Sequence, residues 1–101
     1  MKNKYIKTFE NFYGLSMKNL PNKVYSAMSY EFNTDLSQNK ESISWVKNWI
    51  EQNLKEIESG LSAYHLSNSG NDFLEVSKRL GCDTDDIIDC INTQIDEILG
   101  Y

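Results

Sequence analysis

The stretch from Ile43 to Leu61, ISWVKNWIEQNLKEIESGL, constrains the fold more than any other part of the chain. Ile43, Val46, Ile50, Leu54, Ile57 and Leu61 recur at gaps of three and four residues. At about 100° per residue they fall in one narrow stripe, the pattern of a helix with a core-facing side. Gly60 can take the left-handed turn that stops such a helix. Asn39 and Ser42 each carry a short side-chain oxygen able to cap its start. Trp45 and Trp49 are also four apart and share a second face, beside the stripe and turned toward Gln52 and Glu56. A helix with two apolar faces buries one and needs cover for the other. That cover is either another helix of this chain, with the aromatic N-terminal segment as the plainest candidate, or another molecule. Trp is enriched at protein interfaces, which makes Trp45 and Trp49 candidate protein-binding residues.

The rest of the chain also reads as helix. Tyr5, Ile6, Phe9, Phe12 and Tyr13 predict a short amphipathic helix over Lys4 to Tyr13, and Gly14 to Leu20 reads as a linker. Pro21 suits a first helical turn, where its missing N–H costs nothing. Val24, Tyr25, Met28, Phe32 and Leu36 supply the apolar face of that helix, which should fade over the polar run Asn33 to Asn39. From Ser62 to Asp72 the periodicity breaks, and SNSGND is the clearest loop. Phe73, Val76 and Leu80 then predict a short helix stopped by Gly81. Asp83 or Thr84 can cap a last helix with the stripe Ile87, Ile88, Ile91, Ile95, Ile98 and Leu99. Asp85, Asp89 and Asp96 lie opposite that stripe, with Asp86 and Glu97 at its margin. Isoleucine is frequent but spaced by three and four, so no strand pattern competes. The expected fold is all-α: four to five short helices in one small orthogonal or bundle-like domain spanning 1–101, with residues 1–20 as an N-terminal helix and linker.

Composition narrows the function. A chain of 101 residues can bury one modest core. It contains no run of about 18 apolar residues, so no membrane span is expected. The N-terminus lacks the apolar core and cleavage site of a secretory signal, which predicts a cytoplasmic protein with reduced cysteines. Cys82 and Cys90 accordingly read as small apolar residues rather than a bridge. The net charge of −5 is unevenly placed: residues 1–23 carry five lysines and one glutamate, while residues 83–101 carry six acids and no base. An acidic end repels phosphate and attracts basic protein surfaces. The acidic face of Asp85, Asp89 and Asp96 is therefore the second candidate protein-binding surface.

The pattern from Phe73 to Ile91 resembles a helix-turn-helix. Val76, Ser77, Leu80, Gly81, Cys82, Ile87 and Cys90 stand where that motif needs apolar, small and glycine residues to pack two helices at an angle. A recognition helix should then present basic and amide side chains to the groove. Here the outward residues are Asp85, Asp86, Asp89 and Asp96, so nucleic acid is disfavoured and a plain helical hairpin is expected. A mimic of phosphate spacing, blocking a nucleic-acid-binding protein, is a further reading of that face. Asp83, Asp85 and Ile87 fail as a calcium loop. His65 is the only histidine and has no second ligand nearby. No nucleophile motif or phosphate loop is present. Neither a catalytic residue, a metal nor a cofactor is expected.

The opening KYIKTFENF is similar to the N-terminal peptides of small accessory and internal head proteins of large tailed bacteriophages, whose KTxxxF-type pattern Lys7, Thr8 and Phe12 match. The stretch from Asn71 to Ile98 has the same texture as the end of those proteins, a short helix, Gly, then an acid-capped helix. No LxE- or IxE-type cleavage site stands between Gly14 and Pro21. The resemblance implies a non-enzymatic accessory protein that occupies or inhibits a host protein in the host cytoplasm. The alternatives of other classes are a helix-turn-helix regulator and a homo-oligomeric structural protein.

Overall fold

The computed structural model describes residues 17–100, and all of their regular structure is helical. The predicted helix over Lys4 to Tyr13 and the phage-like peptide lie outside these residues. Helix α1 runs Leu20–Glu31, α2 Ser37–Gln52, α3 Leu54–Glu58 and α4 Ala63–Leu66. A 3-10 turn over Asn71–Phe73 leads into α5, Leu74–Leu80, and the chain closes with α6, Thr84–Leu99. The all-α class expected from the periodicity is the observed one.

Helix α1 packs against both α2 and α6, and α2 also packs against α5. Helix α6 also touches α4, α5 and the 3-10 turn. Leu20, Val24 and Met28 of α1, Ile43, Val46 and Ile50 of α2, and Ile87 and Ile91 of α6 are essentially solvent-free, with Phe73 among them. Truncating any one of the isoleucines to alanine would cost about 2–5 kcal/mol, the lost transfer energy plus the cavity left behind.

Four expectations about the central helix are corrected. It starts six residues earlier than Ile43, at Ser37, because Leu36 and the polar residues after it can still close i→i−4 bonds: the Lys40 N–H donates to the Leu36 carbonyl at 3.2 Å. Asn39 and Ser42 are therefore inside the helix rather than at its cap. Both are buried; the Asn39 amide donates to the Asn33 carbonyl at 3.0 Å and the Ser42 hydroxyl to Gln38 at 2.8 Å. The helix also breaks at Asn53, whose backbone leaves helical values at φ −107° and ψ 13°. The Asn53 side-chain amide donates to the Trp49 carbonyl at 2.9 Å, the local competition with backbone bonding that makes Asn a poor interior helix residue. Beyond the break, Gly60 at φ 105° ends α3 with paired bonds from Leu61 N–H to the Glu56 carbonyl and from Gly60 N–H to Ile57. That closed end turns Leu61 out of the stripe, leaving it 44% exposed.

The described end of the expected linker is helical rather than loose, and Met17 is buried. Leu36, expected on the apolar face of α1, is exposed beyond its end. The Ser62–Asp72 segment is more ordered than its composition suggests. Ser62 caps α4 by accepting the His65 N–H at 3.1 Å. Asn68, Ser69 and Gly70 then all take positive φ. The buried Ser67 hydroxyl ties this turn by accepting the Gly70 N–H at 3.0 Å. Gly70 stands at φ 88°, where any side chain is strained, and a Cβ there would also crowd the Ile88 and Thr84 side chains of α6 at 3.3 Å, so the turn favours glycine.

Candidate functional site

The two tryptophans of α2 part company in three dimensions. Trp49 is 7% exposed, its ring edge-on to Phe73 at 4.8 Å between centroids. Its indole N–H donates to Asp72 Oδ2 at 3.1 Å. Trp49 is thus a core residue with its polar atom satisfied, not the exposed binding residue that the sequence offered. Phe73 and Asp72, from the 3-10 turn of the same chain, cover the Trp49 end of the second face of α2. One turn back, Trp45 also meets Phe73 edge-on, at 6.0 Å and 86°, yet remains 44% exposed.

Trp45 lines a cleft of about 350 Å³ between α2 and α5, with Glu41, Ser42, Asp72, Glu75, Val76 and Arg79. Its lining carries the carboxylates of Glu41, Asp72 and Glu75 against the one guanidinium of Arg79. Arg79 Nε lies 3.4 Å from Glu75, one turn away on α5, and both side chains are well exposed. An exposed pair of this kind is worth less than about 1 kcal/mol. Asp72 is held by the bond from Trp49, so the core tryptophan orients a wall of the cleft beside the exposed one.

The acidic residues of α6 form a separate surface. Asp85, Asp89 and Asp96 are all exposed and, at helical spacing, fall within a strip about 40° wide. None of them lines the Trp45 cleft. Asp89 instead borders a groove between α1 and α6 with Glu31, Asp86, Cys90, Thr93 and Gln94. Asp86 is partly committed to structure: it accepts the Asp83 N–H at 3.0 Å, the reciprocal half of a capping box in which Asp83 is the N-cap. Glu97 lies 3.5 Å from Lys23 of α1.

The hairpin of α5 and α6 packs at the residues its pattern singled out. Val76, Ser77 and Ile87 are buried, Leu80, Cys82 and Cys90 half-buried, and Gly81 takes φ 74° at the turn. Burial pushes the Cys90 thiol up to about 11, with the Glu31 carboxylate adding to the effect. Burial, then Asp86, Asp83 and Glu31, raises Cys82 as well. Both thiols stay protonated near neutrality and are poor nucleophiles. Among the described residues no group of three or more His, Cys, Asp or Glu could hold a metal ion, and no helix is long and apolar enough to cross a membrane.

Glu41, Asp72, Glu75 and Arg79 were not singled out by the sequence. Glu41 stands four before Trp45 and Glu75 four before Arg79, so helical spacing does place each pair on one face. Asp72 carried no such signal, because its partner Trp49 is 23 residues away. Comparison with protein-family models, with curated protein sequences and with solved structures gives no match to this chain.

Proposed function

We propose that this chain is a non-enzymatic protein-binding module that works by occupying a partner's surface through the Trp45 cleft and the acidic strip of α6. The observation that carries the reading is Trp45. It is a large aromatic left half in water although Phe73 is at hand to bury it, and three carboxylates surround it in a cleft. Aromatic anchors in partly desolvated pockets dominate binding energy at protein interfaces. Asp85, Asp89 and Asp96 add an electrostatic surface that speeds encounter with a basic partner and fixes its orientation. The resemblance of the N-terminal peptide to phage accessory proteins suggests the setting: a phage-encoded protein engaging a host protein in the host cytoplasm.

The test is affinity capture from host-cell extract with the wild-type chain, Trp45→Leu, and the triple variant Asp85→Asn, Asp89→Asn, Asp96→Asn. The reading expects one partner that the wild type retains and that both variants lose while circular dichroism stays unchanged. A wild-type chain that retains nothing the folded variants lack overturns it.

A further inference from the structure

The cleft beside Trp45 has a chemistry more definite than that of a general contact surface, and the inference from it rests on the binding reading above. We propose that the cleft seats an arginine side chain presented by a partner polypeptide. An indole face attracts a guanidinium placed within about 6 Å of it, and arginine stacks on aromatic planes better than lysine does. Carboxylates accept the guanidinium N–H groups in pairs, with geometry that an ammonium does not match. The cleft offers both: Trp45, and around it Glu41 from the same helix, Asp72 from the 3-10 turn and Glu75 from α5. Asp72 is fixed in place by the Trp49 N–H at 3.1 Å, so this acceptor is positioned before any ligand arrives. Arg79 offsets only one of the three carboxylates, and its 3.4 Å contact to Glu75 is exposed enough to yield to an incoming cation.

Size and sequence agree with one inserted side chain. A cleft of about 350 Å³ lies at the small end of ligand pockets, which span about 300–1,000 Å³. That space suits an arginine and its stem rather than a docked helix. Arg79 is the only arginine of the chain and already lines the cleft. The arginine a second copy could offer is this same Arg79, already beside its own Glu75, so inserting it would strip one cleft of the cation it gives the other; the net acidity of the cleft favours a partner that brings an arginine of its own.

The full chain, labelled with ¹⁵N, is titrated with the blocked peptide acetyl-Gly-Arg-Gly-amide, with its lysine counterpart, and with its citrulline counterpart, which keeps the shape and loses the charge. The expected result is a saturable shift of the Trp45 indole N–H signal with the arginine peptide. Binding of the lysine and citrulline peptides should be weaker by about fivefold or more. Glu41→Gln and Asp72→Asn should each weaken the arginine peptide by a similar factor, and Trp45→Leu, followed through the backbone N–H signals of Glu75 and Arg79 in the cleft wall, should show no saturable shift while its Trp49 indole signal reports an intact core. No saturable shift, or citrulline binding as tightly as arginine, overturns the proposal; equal binding of lysine overturns its choice of arginine. A partner captured equally by wild type and Trp45→Leu would sink the cleft and leave binding to α6. Peptide binding without any captured partner would keep the cleft and sink the wider reading.

Discussion

At the scale of single residues, Trp45 and Trp49 differ in what they can be used for because of one contact each. Trp49 spends its indole N–H on Asp72 and its ring on Phe73, which leaves it nothing to offer a partner. Trp45 shares the same Phe73 but keeps nearly half its surface in water. Hydrogen bonds to charged groups contribute about 1.5–3 kcal/mol, and Phe is also smaller than Trp. Trp49→Phe is therefore expected to lower stability by about 2 kcal/mol, read from the urea midpoint at constant slope. Trp45→Phe keeps the ring pair and should change stability by less than about 1 kcal/mol. A reversed order would mean that Trp45 is the structural residue. The distinction was not legible in the sequence. Helical spacing puts both tryptophans beside the Ile stripe, but Asp72 and Phe73 reach them only after the chain has turned through α3, α4 and the ordered Ser67–Gly70 turn.

At the scale of elements, the signals that proved legible are the local ones. Pro21 opens α1, Gly60 and Gly81 stop α3 and α5 at positive φ, and Asp83 caps α6, all as their residue types predict. Each of these depends on neighbours within about four residues. The break at Asn53 and the early start at Ser37 were missed because the Ile/Leu stripe runs straight across the one and begins after the other. Helix α6 also sets stability against use. Its first turn carries Asp85 and Asp86 at the favourable positive end of the helix dipole, but Asp96 and Glu97 sit in the last turns, where the helix has no basic residue of its own and Glu97 is met by Lys23 of α1 at 3.5 Å. Asp83→Ala is expected to cost about 1 kcal/mol through loss of the cap. Asp96→Lys should instead gain about 0.3–1 kcal/mol. Thermal unfolding of the two variants beside the wild type checks both signs, and an Asp96→Lys chain less stable than wild type would show that this carboxylate has a structural role.

At the scale of the whole molecule, the described residues carry two surfaces on different elements. One is a pocketed aromatic with acids between α2 and α5; the other is an acidic strip along α6. A net charge of −5 on 101 residues opposes self-association and favours a basic partner over an acidic one, more strongly at low ionic strength. The all-α class was readable from periodicity alone, and so was the acidic strip, since both follow from residue spacing within a helix. The cleft was not, because it assembles from three segments that only the tertiary packing of α5 on α2 brings together. Backbone hydrogen exchange of the chain, free and bound to the captured partner, is the measurement that bears most directly on whether these surfaces are the working ones. Slowed exchange is predicted around Glu41–Trp45, Asp72–Arg79 and the Asp85–Asp96 face, with the Asn22–Tyr30 side of α1 unchanged. Protection centred on α1 with the Trp45 cleft unaffected would contradict it.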